Sequence, residues 1–180
     1  METQNTSTVA PSSSHPDEST RLNLTDDRTA MWGVVEDYLK QRTNGARWFF
    51  WVAGLSLINS IVILADGRWG FLAGLGITQI ISGLALGMSE DLGVGVKVVA
   101  FGMNLIVVLI CVGFGLFAQK GHTWAFIVGM VLYALDGLIF LWVQEWFALG
   151  FHVFVLYSMY RGLSANWSLA KLKAEGVTVE

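Results

Sequence analysis

Polar and apolar positions change rhythm twice along the chain. Residues 1–24 (METQNTSTVAPSSSHPDESTRLNL) are polar, hold both prolines, Pro11 and Pro16, and show no apolar period. Such a stretch has too little apolar surface to fold against, so a disordered tail is expected. It lacks the basic start and apolar core of a secretory signal. Over 25–45 a helical period appears. Met31, Val34, Val35, Tyr38 and Leu39 recur on one side, and Glu36, Asp37, Lys40 and Gln41 on the other. This predicts an amphipathic juxtamembrane helix. Thr25, Asp26 or Asp27 can cap its start, and Asn44-Gly45 reads as its stop. The polar face is mixed in sign, so two readings stand. The helix lies in the membrane interface with Trp32 in lipid, or it packs on a protein partner or a second copy.

From residue 46 to 164 the polar rhythm disappears. Five apolar runs follow at about 48–65, 70–88, 97–118, 124–143 and 147–163. They are separated by Asp66-Gly67-Arg68, Ser89-Glu90-Asp91, Gln119-Lys120-Gly121-His122 and Gln144-Glu145. A helix needs about 20 residues to cross the hydrocarbon, with a range of about 17–25. Backbone groups in lipid must bond internally, and the runs do not alternate as barrel strands do. The expected fold is an all-α integral membrane protein, a bundle of five transmembrane helices whose short connections make successive helices antiparallel. Residues 165–180 form a short amphipathic tail, with a surface helix capped by Ser164 and Trp167, Lys171 and Lys173 at headgroup level.

Composition agrees with the runs. The 180 residues are 54% hydrophobic and 14% charged, against about 25% charged in soluble domains. Mean hydropathy is +0.56. Trp48, Trp69, Trp124 and Trp146 sit at run ends, where indole rings settle at the interface. The net charge of −3 gives no electrostatic footprint for nucleic acid. The lone cysteine, Cys111, reads as a small core residue. With five spans the basic residues divide almost evenly: Lys40, Arg42, Arg47 and Lys97 on one side, and Arg68, Lys120, Arg161, Lys171 and Lys173 on the other. The positive-inside rule then says little. Four spans, with the fifth run at the surface, would reconcile the charges. The long tail without a signal points to a cytoplasmic N-terminus in a plasma membrane of the bacterial type.

Every run carries a strongly polar residue mid-span: Asn59, Gln79, Asn104, Asp136 and His152. At about 1.5 Å per helical residue their heights agree within roughly 6 Å, so one buried polar layer is expected. Gln79 shares a face with Ala73, Gly76, Gly83 and Gly87, and the Gly83–Gly87 spacing is GxxxG. Asn104 shares one with Ala100, Cys111 and Gly115, and Asp136 with Gly129, Tyr133 and Phe140. Small residues let helix backbones approach, so Gly76, Gly83 and Gly87 are expected packing positions. A mid-membrane carboxylate costs about 2.5–3.5 kcal/mol even on the mild insertion scale, and marks a site by default. The nearest partner for Asp136 is His152, placed symmetrically about Gln144-Glu145.

No nucleophile elbow, phosphate loop or dinucleotide fingerprint appears, no catalytic residue is assigned, and neither a cofactor nor a metal is expected. The expected function is that of an interaction or oligomeric membrane subunit held by the polar layer. The alternative is an oligomeric proton-coupled transporter or channel for ions or small solutes, using Asp136 and His152. Expected partners are the lipid bilayer, and a second copy or another protein at the N-terminal amphipathic helix.

Overall fold

A computed structural model describes residues 18–65 and 75–177. It holds five helices: α1 Glu18–Leu64, α2 Gly76–Leu92, α3 Val94–Gln119, α4 Thr123–Trp142 and α5 Trp146–Ala174. Among the described residues there is no strand. Residues 1–17 of the expected tail and the expected turn at Asp66-Gly67-Arg68 lie outside them, while residues 18–24, expected to be disordered, are the start of α1. Two compact units are distinguished, Met1–Val34 and Val35–Glu180. In the first, Met31, Trp32 and Val34 are exposed. The packing below is that of the second.

Two expected helix ends are absent. α1 runs through Asn44-Gly45 because that glycine is a contact point. A Cβ on Gly45 would stand 2.5 Å from the Gly162 Cα. Bare backbone meeting bare backbone outweighs the helix penalty of a glycine, about 1 kcal/mol. α5 likewise passes through Ser164, because Ala165, Asn166 and Leu169 beyond the expected break are all buried.

Contacts give the helix directions. Cys111 of α3 donates its thiol to the Phe49 carbonyl of α1 (3.3 Å), and the Phe49 ring lies under Gly129 of α4. Seven residues further along each helix, Ser56 and Asp136 both reach the first turn of α2. So α1 and α4 run the same way. α5 runs the other way, with Gly162 against Gly45 and Phe154 edge-on to Trp48 at 5.1 Å. α2 departs from the expected order. Its start meets Ser56, and its Ala85 shares a small cavity with Leu64 at the end of α1. α1 and α2 are therefore parallel, not antiparallel, and α2 begins inside the bundle rather than at its edge.

Three helices are long and apolar enough to cross a membrane: the Asp26–Leu64 part of α1, α3 and α4. α2 is a shorter apolar helix and α5 is not among the three, so five spans are not found. Large apolar side chains such as Leu84, Val99, Leu109, Leu135 and Phe147 stand exposed around the bundle. A patch of that extent suits lipid rather than water.

The α3–α4 turn closes through Gly121, whose φ of 85° favours glycine. α5 staples it: the Asn166 amide donates to the Gly121 carbonyl (3.1 Å) and the Thr123 hydroxyl (2.9 Å). Asn166→Ala should cost about 1–2 kcal/mol, the value of losing buried hydrogen bonds. A fall of a few degrees in the thermal midpoint in detergent checks this.

Candidate functional site

A helix begins with backbone N–H groups that have no partner in the preceding turn. At the surface, water serves them. At the start of α2 Leu75, Gly76 and Thr78 are buried, so side chains must. The Leu75 N–H donates to the Ser56 hydroxyl oxygen at 2.8 Å. The Gly76 N–H donates to Asp136 Oδ2 at 2.7 Å, and the Ile77 N–H to Asp136 Oδ1 at 2.9 Å. The Thr78 hydroxyl turns back to the Leu75 carbonyl at 2.7 Å. One carboxylate from the middle of α4 thus caps another helix with both oxygens, at the positive end of its dipole. Gly76 is needed for the approach, since a Cβ there would meet the Phe140 ring at 2.9 Å.

His152 completes the carboxylate's shell. Its Nε2 lies 3.1 Å from Asp136 Oδ2, and its Nδ1 donates to the Ala148 carbonyl one turn back, at 2.9 Å. The remaining proton sits between Nε2 and Oδ2. The pair is imidazolium–carboxylate or imidazole–carboxylic acid, and the hydrogen bond stands in either form. The imidazole is held on its faces. Tyr133 stacks on it with centroids 4.3 Å apart and a 10° interplanar angle, and Phe140 lies at 4.8 Å. Gly137 leaves room for the ring: a Cβ there would be 3.3 Å from His152 Cδ2.

A second polar cluster sits further along α2. The Asn104 amide donates to Ser82 Oγ at 2.8 Å and to the Thr78 carbonyl at 3.3 Å. Asn104, Thr78 and Ser82 are all buried. Asn59 is buried on α1, next to Ser60, whose hydroxyl donates to the Ser56 carbonyl at 2.9 Å.

The five expected layer residues therefore separate. Asp136 and His152 touch, Asn104 belongs to the neighbouring cluster, and Asn59 is buried on α1. Gln79 is only half-buried, and its amide nitrogen is buried without a hydrogen-bond partner. The glycines separate too. Gly76 is tightly packed, while Gly83 and Gly87 are exposed and a Cβ on either would meet nothing within 4 Å. The expected GxxxG contact is absent. The reason is rotational: α2 buries Leu75, Thr78, Ser82 and Ala85, one residue round from the Gln79 face. Ser56, Thr78 and Ser82 escaped sequence reasoning because short hydroxyls pass for small core residues. The signal was the four-residue spacing of Ser56–Ser60 and Thr78–Ser82, which puts each pair on one helix face.

Beside the carboxylate lies a cavity of about 380 Å³ whose wall is almost wholly apolar, including Phe49, Ile110, Phe114 and Leu132. Among the described residues that line it, Cys111, Tyr133 and Asp136 supply the only polar side chains. Among the described residues no group of three or more His, Cys, Asp or Glu is placed to hold a metal ion. Comparison with protein-family models, curated proteins and solved structures gave no match.

Proposed function

We propose that this chain is a non-catalytic integral membrane protein that acts as an interaction or oligomeric subunit. It crosses the bilayer four times, through α1, α3, α4 and α5, with α2 as a half-helix started inside the bundle. One observation carries the reading. Both oxygens of Asp136 are engaged, by two backbone N–H groups and His152, so its acceptor capacity goes into holding α2. A relay residue needs access to a changing partner, and the cavity wall beside this one is apolar.

Charge supports the crossing number. With the helix directions above, Lys40, Arg42, Arg47, Lys120, Arg161, Lys171 and Lys173 fall at the Val35 end of the bundle. Among the described residues only Lys97 falls at the other, which is seven against one. That asymmetry is what the positive-inside rule reads, and it supports a cytoplasmic side for the Val35 end and the end of α5. The even division seen with five spans came from counting α2 as a crossing. The exposed Met31, Trp32 and Val34 then form the handle for a partner or a second copy.

The test pairs a deletion with a point change. Removing residues 1–34 should abolish cross-linking to the partner or second copy in membranes and leave the 35–180 bundle folded. Purified protein in liposomes should show no proton flux under an imposed gradient. Flux that disappears in Asp136→Asn would overturn the reading in favour of proton-coupled transport, which the position of Asp136 on the cavity wall favours.

A further inference from the structure

The Tyr133 hydroxyl is buried and, among the described residues, has no hydrogen-bond partner. Its neighbours on the cavity wall are otherwise engaged. The Cys111 thiol donates to Phe49, and the Asp136 oxygens take Gly76, Ile77 and His152. A buried phenol normally finds a partner, and leaving it without one costs about as much as a lost hydrogen bond. Among the described residues no acceptor on the wall lies within hydrogen-bond reach of it, so the matching acceptor comes from whatever the cavity admits.

Where the hydroxyl sits restricts that partner. Tyr133 is nine residues from Trp124 and nine from Trp142, both exposed indoles at the two ends of α4. At about 1.5 Å per residue this places it near the bilayer midplane, about 13 Å from either interface. The ester carbonyls of bilayer lipids lie at those interfaces and do not reach it. The cavity is reached from the lipid side, since Ile110, Leu132 and Leu135 on its wall are exposed apolar residues. Its volume of about 380 Å³ suits a small ring system or a folded short chain.

We infer that the cavity between α1, α2, α3 and α4 binds a lipophilic ketone or quinone dissolved in the hydrocarbon, whose carbonyl oxygen accepts the Tyr133 hydroxyl. Phe49 and Phe114 face a flat ring in such a pocket, and His152 backs the phenol from the other side. The site is separate from the cap function of Asp136. It rests on the bilayer placement, not on the partner reading.

Benzophenone is a suitable probe. It is a hydrocarbon-soluble diaryl ketone, and on irradiation its carbonyl carbon bonds to a nearby C–H carbon, the hydrogen passing to the ketone oxygen. With the full chain in vesicles of ether-linked phospholipid, which carry no ester carbonyl, labelling should map by mass spectrometry to Ile110, Leu132 and Leu135. Tyr133→Phe keeps the ring stack and loses only the hydroxyl. It should lower cavity labelling about tenfold, the loss expected of one neutral hydrogen bond in an apolar site. Leu135→Trp, at an exposed position on the wall, should lower it without touching Tyr133. A short-tailed benzoquinone should compete, and diphenylmethane, which lacks the carbonyl, should not. Equal labelling in wild type and Tyr133→Phe would overturn the inference. So would cavity labelling that vanishes when ester-linked lipids replace ether-linked ones, since that result assigns the hydroxyl to a glycerol ester.

Discussion

Asp136→Asn is expected to destabilise the protein by about 3 kcal/mol, the order measured when one partner of a buried pair is removed. The substitution is nearly isosteric, so the loss is electrostatic and directional. Three groups converge on the wild-type side chain: the Gly76 N–H and the Ile77 N–H donate to it, and His152 Nε2 shares a proton with its Oδ2. An asparagine presents one oxygen and one NH2 group. Whichever way the amide turns, its NH2 group faces a backbone N–H, leaving a buried donor unmet at about 1–3 kcal/mol. The favourable charge at the α2 N-terminus goes as well. At about 2–4 °C per kcal/mol for a chain of this size, the thermal midpoint should fall by roughly 10 °C. His152→Phe is the informative comparison. It removes one donor and keeps a ring between Tyr133 and Phe140, and the two backbone N–H groups still cap the carboxylate. It should cost clearly less. A reverse order, with the histidine change the more damaging, would mean that the pair and not the cap holds the site.

Gly45→Ala is expected to cost about 2–3 kcal/mol, at the upper end for a methyl group forced into a packed contact. The added Cβ would stand 2.5 Å from the Gly162 Cα and 2.9 Å from its nitrogen, and backbone has no rotamer with which to retreat. The reciprocal change, Gly162→Ala, places a Cβ 2.8 Å from the Gly45 Cα and should cost a similar amount. Because both changes separate the same helices, the double variant should lose less than the sum of the two. Gly83→Ala and Gly87→Ala are the controls. Both sit inside α2 with nothing within 4 Å of an added Cβ, so each should be neutral or stabilising by up to about 1 kcal/mol. Unfolding titrations of the four single variants check the contrast.

The contrast also shows what the sequence makes legible. Periodicity predicts the inner faces of α3 and α4, because these helices are apolar throughout and their polar or small residues have one way to turn. Ala100, Asn104 and Gly115 are buried together on α3, and Gly129, Tyr133, Asp136 and Phe140 on α4. The approach of Asp136 to His152 follows from their symmetric placement about a three-residue turn. α2 was not legible in the same way. An apolar run of 70–88 carries no mark of where in the bundle its helix begins, and the cap that starts it lies 60 residues away on α4. Local capping signals cannot show a cap supplied in space. Its face was misjudged as well, because Gly83 and Gly87 mimic a packing motif while Thr78 and Ser82 carry the burial. Gly45 misled in the opposite sense, reading as a helix stop where it is a helix contact.

α2 starts inside the bundle under the Asp136 carboxylate, and amide hydrogen exchange at Gly76 and Ile77 tests that most directly. In reconstituted wild-type protein these two amides should exchange as slowly as the interior of α3, and in Asp136→Asn the one that loses its acceptor should become fast while α3 and α4 keep their protection. First-turn amides that exchange in wild type as fast as those of a water-exposed helix start would contradict it.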